Sequence, residues 1–295
     1  MTDYGQHLQF GLIIDPAADH PDRVLAQAEL AERSGLDLVS VPDHPYRPAA
    51  LEAMTVLTAI AARTERIRLF PNVANLPLRP PALLARMIGS LDRISGGRAE
   101  LALGAGGYRS AVVAEGGPDR TPAESVAALA EAMIMIRALL GEGAARIRWD
   151  GEHYRLPSAE PGPRPVHPIE LWVGALGPRM LRLIGRYGDG WLPSSTRVPP
   201  TELAGRQAII DAAAVEHGRD PAAIRRLYNL QPGVFPVGPP ASWPEQLIRL
   251  AITEGISTFL LPTGSAALIT TFGTETAPAV RAGVQRHRHG AAVAR

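Results

Sequence analysis

Eight short apolar runs, each followed by a helical pattern, decide most of what this chain can fold into. The runs are Leu8–Ile14, Leu36–Val41, Ile67–Val73, Ala99–Leu103, Ile169–Val173, Gly190–Leu192, Leu227–Val234 and Thr258–Leu261. Each is rich in Val, Ile, Leu or aromatic residues and bounded by Gly, Pro, Asp or Asn, as buried strands are. Helices are expected at Pro21–Arg33, Pro80–Ile94, Ala123–Leu140 and Pro178–Tyr187. The last places Met180, Leu183, Ile184 and Tyr187 on one face. Pro21 and Pro178 suit a first turn, Thr121 with Glu124 forms a capping-box pattern, and Asp19 is an expected cap. Gly35, Gly188, Gly218 and Gly255 stand where left-handed residues end helices.

Eight βα units in series imply a parallel sheet, and eight parallel strands close a barrel. An open doubly wound sheet is the alternative, but no G-x-G-x-x-G turn follows the first strand. The expected fold is α/β, a (β/α)8 TIM barrel forming one domain over 1–295. Two stretches do not fit a βα unit, 104–120 and 141–168, and are expected to be insertions at the rim that build the substrate pocket. The second holds Ile147–Leu156, read as a hairpin turning at Asp150-Gly151.

Composition removes several chemistries. The 295 residues include no cysteine, which excludes disulfides, thiolate catalysis and Cys-based metal centres. All 30 basic residues are arginine, which excludes Schiff-base lysines and a P-loop. A net charge of +1 makes no field to gather nucleic acid or an anionic membrane. No run of about 18 apolar residues is present. The polar start Met1–Gln9 lacks a signal-peptide pattern, so a cytoplasmic protein is expected. No carboxylate or histidine cluster has metal-ligand spacing, so no metal site is expected. His287 and His289 read as part of a solvated Arg-rich terminus.

In such barrels the chemistry sits on the loops after the strands. After the second strand come Asp43, His44 and Tyr46. The histidine is suited to proton transfer and Asp43 to orienting it, or both to forming a turn. Asn72 and Asn75 end the third strand, pointing either to a ligand or to a proline-rich loop. Gly104, with Gly106 and Gly107, leads to Tyr108 and lets backbone approach a ligand. After the fifth strand, Gly174-Ala175-Leu176-Gly177 leads into a helix at Pro178. That is a phosphate site or an ordinary βα turn. Ser194 and Arg197, after the sixth strand, would complete a phosphate cradle.

Taken in order, these motifs resemble the luciferase-like flavin-dependent oxidoreductases. The resemblance rests on Phe10-Gly-Leu12, Pro42-Asp-His-Pro45, Arg63–Leu69, Ser90–Arg98, Gly174–Pro178 and Gly188-Asp-Gly-Trp191, and it spans nearly the whole chain. It implies a TIM barrel that binds FMN or coenzyme F420 at its C-terminal face, and commonly a homodimer. It places the family's Asp-His pair on Asp43 and His44, and a non-prolyl cis peptide at Asn72–Val73. The cofactor phosphate would lie against Leu176, Gly177 and Pro178, with Ser194 and Arg197 nearby. The loop Gly104–Tyr108 lacks the glutamate of sugar-phosphate-oxidising relatives, which argues against that substrate class. The leading expectation is hydride transfer between F420 and a small organic substrate, in a pocket rimmed by His44, Tyr46, Tyr108 and Trp191. An FMN-dependent monooxygenase and a non-catalytic binding protein are the alternatives.

Overall fold

The computed structural model describes residues 2–141 and 146–293; the part of the expected insertion at 142–145 lies outside the described residues. The strands are β1 (Gln9–Ile13), β2 (Leu38–Val41), β3 (Arg68–Pro71), β4 (Ala74–Asn75), β5 (Leu101–Gly104), β6 (Ile147–Asp150), β7 (Arg155–Ala159), β8 (Leu171–Val173), β9 (Gly190–Trp191), β10 (Arg225–Asn229) and β11 (Thr258–Pro262). Nine of them form one sheet in the order β3-β2-β1-β11-β10-β9-β8-β5-β4, with its strands paired in parallel. Leu69 N–H donates to Arg98 O and Glu100 N–H to Leu69 O, each at 2.9 Å, which closes the sheet between β3 and the start of β5. β3 and β4 are two halves of one stave, parted at Asn72–Val73. Nine strands therefore make eight staves, and the fold is a TIM barrel.

The outer layer is α1 (Pro21–Arg33), α2 (Ala53–Arg63), α3 (Pro81–Ser95), α4 (Arg109–Ala114), α5 (Pro122–Leu140), α6 (Pro178–Tyr187), α7 (Pro200–Glu216), α8 (Trp243–Glu254), α9 (Ala266–Thr271) and α10 (Ala277–Val293). The expected helix starts follow from local chemistry. Thr121 and Glu124 form a full capping box, and prolines open α1 and α6. Two expected caps differ. His20, not Asp19, is the N-cap of α1 and makes no side-chain cap bond. Gly188 is extended rather than left-handed, and what it supplies is room: a Cβ there would meet the Ile184 backbone at 3.1 Å.

Strand alternation divides the core in two. Leu38, Phe70, Ala102, Trp172, Leu192, Leu227 and Leu260 fill the lumen, with Ile13 and Val73 packed against them. Phe70 and Trp172 meet edge to face at 4.8 Å. The opposite strand faces join the helices in the larger core. The lumen has no space for side chains at Gly11 and Gly190. A Cβ on Gly190 would lie 2.5 Å from Trp172, and one on Gly11 2.7 Å from Leu260.

Other expectations are corrected or refined. The seventh stave is Arg225–Asn229, not Leu227–Val234, because the chain turns back on itself there with Gln231 bridged to Phe235. The insertion is rooted at the opposite end of the barrel from the mouth, while its β6–β7 turn climbs α5 as far as Arg120, which donates to the Tyr154 hydroxyl at 3.1 Å. It links α5 to β8, so its ends lie at the N-terminal face, where His167 Nδ1 is 2.8 Å from Asp92 and Nε2 3.0 Å from Glu100. Its β6–β7 ribbon turns over 151–154 rather than at a two-residue Asp150-Gly151 loop. The Glu131 carboxylate of α5 gathers the Glu152 and His153 N–H groups at 2.9 and 3.3 Å, fixing the wider turn. The C-terminal stretch bearing His287 and His289 is solvated, as expected, with both histidines exposed, but it is helical, part of α10. Arg288 there donates to Asp3 at 2.8 Å through both Nε and Nη2.

Candidate active site

Each stave presents its last residues to the C-terminal mouth. Beyond β2 the chain carries Asp43, His44 and Tyr46, and beyond β5 it carries Tyr108. The fold brings the three rings together. His44 Nδ1 is 2.7 Å from the Tyr46 hydroxyl, and the Tyr108 ring stands edge-on to His44 at 5.6 Å and 5.9 Å from Tyr46. Tyr108 is 63% exposed, so this cluster faces outward at the mouth. Burial, and then the Arg47 charge, hold the His44 imidazole below its ordinary pKa despite the opposing pull of Asp43. Burial pushes the Tyr46 phenol up to about 12, with Tyr108 and Asp43 adding to it. Near neutrality both partners are uncharged.

Asp43 does not orient the imidazole. Its buried carboxylate is held by Arg79, with Nε at 2.9 Å and Nη2 at 2.7 Å, and it accepts the Asn75 N–H at 2.8 Å. Tyr46 takes the histidine instead, because the arginine occupies the carboxylate in the two-pronged geometry both groups favour. Arg79 also reaches Glu52 Oε1 at 2.5 Å, and Glu52 caps α2 through the Met54 and Thr55 N–H groups. The pair of loops after β2 and after β4 is thereby tied to the start of α2.

Between β3 and β4 the Asn72–Val73 peptide is cis, as the resemblance implied. The Asn72 side chain donates to Ser40 Oγ at 3.2 Å and exchanges amide bonds with Asn229 at 3.0 and 3.2 Å. Val73 points into the lumen between two glycines. A Cβ on Gly104 would lie 2.6 Å from Val73 Cγ2, and one on Gly174 3.4 Å from Val73 Cγ1. Gly104 and Gly174 thus make room for the bulge. Asn75 is buried, and its Oδ1 has no hydrogen-bond partner.

At the fifth stave, Ala175 is buried and Leu176, Gly177 and Pro178 are exposed at the start of α6. No side chain caps this helix, its first turn holds no acid, and open space surrounds the Cα of Gly177. The Leu176 carbonyl is taken by Arg206 of α7. On the neighbouring stave Ser194 Oγ bonds Thr196 Oγ1 at 2.9 Å, Ser195 Oγ is buried without a partner, and Arg197 is exposed.

Trp191 is displaced from its expected place on the pocket rim. It is fully buried on the helix side of β9, with Nε1 donating to Ala175 O at 3.0 Å. The Trp172 ring fills the lumen beside Gly190, so alternation turns Trp191 outward. Arg79, Ser40, Asn229 and Ser195 belong to the candidate site by their contacts and were missed by sequence reasoning. A strand drawn through to Val234 hid Asn229 mid-strand, although its place at a stave's C-terminal end was the available signal. Among the described residues, no group of three His, Asp or Glu side chains could hold a metal ion, and no helix is long and apolar enough to cross a membrane.

A closed eight-stave barrel with its polar and glycine-lined bulge at the C-terminal mouth defines a class of small-molecule barrels. Residues 5–234 match the family described as luciferase-like monooxygenase, and the chain belongs to that family. It is 36% identical over 199 residues to 5,10-methylenetetrahydromethanopterin reductase of Archaeoglobus fulgidus, covering 65% of this chain and 54% of that protein. Against an F420-dependent glucose-6-phosphate dehydrogenase of Kineococcus radiotolerans the identity is 33% over 199 residues, covering 65% of this chain and 58% of that protein. The matched stretch thus spans little more than half the length of these relatives. A solved F420-dependent secondary alcohol dehydrogenase, in complex with an F420-acetone adduct, superposes with a TM-score of 0.82 at 20% identity. That match covers 93% of this chain and 99% of that one, and it supports the fold.

Proposed function

We propose that this chain is an oxidoreductase that uses coenzyme F420 to exchange a hydride with a small organic substrate. The observation that carries this reading is the mouth itself, where a neutral His44–Tyr46 pair and the Asn72–Val73 bulge stand on neighbouring staves whose loops are joined by the Asn75 N–H bond to Asp43. The residues present suit the cofactor. The uncapped start of α6 with Gly177 open beside it, and the orphaned Ser195 hydroxyl on the next stave, fit a bound phosphate. Asn72, Val73, Asn75, Gly104, Gly174 and Ala175 would form the wall behind the ring, with Leu176, Gly177, Pro178, Ser194 and Arg197 at the phosphate end. A bound deazaflavin supplies a two-electron hydride carrier that reacts poorly with oxygen.

The chain supplies the proton chemistry. With Nδ1–H donated to the Tyr46 oxygen, His44 Nε2 is free to accept the hydroxyl proton of a substrate undergoing oxidation. In the reverse direction the imidazolium returns it. Tyr46, whose phenol is pushed up to about 12, holds the ring and keeps its own proton. His44→Ala is expected to keep cofactor binding and lose turnover by about 10²–10⁴-fold; unchanged turnover would remove His44 from the mechanism.

The family description itself favours a second reading, an FMN-dependent monooxygenase, because reduced FMN reacts with oxygen. Fluorescence titrations of the purified apoprotein with F420 and with FMN, followed by oxygen uptake during turnover, separate the two. Tight F420 binding without oxygen consumption is expected. FMN binding with oxygen uptake transfers the assignment to the monooxygenase, and binding of neither cofactor overturns both. Glucose 6-phosphate is not the expected substrate, since the loop Gly104–Tyr108 presents Tyr108 and no acid.

A further inference from the structure

A cavity of about 410 Å³ opens at the C-terminal ends of β1, β2 and β11. Its volume falls within the range of small-molecule sites, roughly 300–1,000 Å³. Apolar walls come from Ile13, Pro42 and Pro262. In a closed eight-stave barrel the first stave faces the fifth and the fourth faces the eighth. The cavity belongs to the first, second and eighth staves. Val73, Gly104 and Gly174 stand on the third, fourth and fifth. The cavity therefore lies across the mouth from the wall proposed to back the cofactor. Pro42, which lines it, is two residues from His44.

Charge decides what the cavity takes. Three ionisable side chains line it: Asp15, His20 and Arg23. Asp15 already faces a cation, with Arg47 Nη1 at 3.7 Å, and His20 lies 3.6 Å from Asp19. Arg23 has no carboxylate partner among the described residues. One of its N–H groups reaches the Gly264 carbonyl at 3.2 Å, which leaves four of its five donors. Gln27 reaches the same carbonyl at 3.5 Å, so the loop after β11 does not depend on Arg23 alone.

We infer that this cavity is the substrate subsite and that it selects small organic acids, an apolar body carrying a carboxylate that Arg23 holds. The inference rests on the oxidoreductase reading only for calling the ligand a substrate. Binding itself is tested without cofactor. The apoprotein is titrated by ligand-observed NMR with cyclohexanecarboxylate, cyclohexyl phosphate, cyclohexanol and cyclohexylamine. The carboxylate is expected to bind most tightly, and Arg23→Gln, which keeps an amide donor for Gly264, to weaken it roughly tenfold, the effect of losing one charge-assisted hydrogen bond. Ala17→Leu, which fills the cavity, is expected to abolish binding. Equal binding of the carboxylate and the alcohol, preference for the amine, tighter binding of the phosphate, or undiminished binding in either Arg23→Gln or Ala17→Leu overturns the proposal. Failure of all four probes does so too. F420 binding without carboxylate binding defeats this inference alone, whereas carboxylate binding without either cofactor defeats the oxidoreductase reading alone.

Discussion

His44 is half-buried between two tyrosines, and its environment sets the pH range over which it can act as a base. Burial and the Arg47 charge both disfavour the imidazolium, so the neutral form persists to lower pH than for a free imidazole. The sign follows directly. Base-dependent turnover is complete above the depressed value and falls as pH drops through it, so the acid limb of kcat/KM lies below about 6.5, the ordinary histidine value. Arg47→Gln removes one of the two causes, and its acid limb is expected to move upward. A limb that stays put when Arg47 is neutralised would show that another group is being titrated. Tyr46→Phe removes the partner at Nδ1 while keeping the ring contacts. It is expected to lower kcat with little effect on cofactor affinity.

Elements meet at the mouth through a small number of buried contacts. Arg79 joins the loop after β2, the loop after β4 and the first turn of α2, and both it and Asp43 are largely withdrawn from water, at 11% and 1% side-chain exposure. Removing one member of such a pair leaves an uncompensated buried charge. Arg79→Ala is therefore expected to cost about 3–5 kcal/mol in urea unfolding. Arg79→Ala combined with Asp43→Asn should recover part of that loss. Gly104 and Val73 form a steric pair in the same region. Gly104→Ala inserts a methyl group 2.6 Å from Val73 Cγ2 and is expected to destabilise by about 1–3 kcal/mol. Adding Val73→Ala removes the clash, so the double variant should be more stable than the sum of the single changes; strict additivity would show that the two residues do not press on each other.

The whole molecule is an eight-stave barrel whose lumen is packed by Trp172, Phe70 and a ring of aliphatic side chains, with the insertion fastened below. Trp172→Ala is expected to cost about 3–5 kcal/mol, because few neighbours can close so large a space. His167 bridges the buried carboxylates Asp92 and Glu100 and so clamps the end of the insertion to the barrel floor. His167→Ala is expected to raise amide exchange across 146–168 while the staves keep their protection; uniform loss of protection would mean that the insertion and barrel unfold together. The architecture was legible because it is written in local signals. Apolar runs marked all eight staves, and Thr121, Glu124, Pro21 and Pro178 marked helix starts. Gly174–Pro178 was legible for the same reason, as a strand running into a helix.

The sequence by itself determined the eight βα units, their order, and the mouth loops that carry His44, Tyr46, Tyr108, Asn72 and Gly104. Those features follow from backbone propensity and side-chain period, which act over a few residues. Only the tertiary structure decided which way a side chain faces and what it meets. Trp191 turns outward because Trp172 fills the lumen beside Gly190. Asp43 pairs with Arg79 rather than His44, and the insertion hangs from the N-terminal face. Asn72 meets Asn229 across 157 positions of chain. Closing the barrel sets the register between staves, and that register brings distant residues to one mouth. No local pattern encodes such pairings, because their partners are supplied by the far side of the fold.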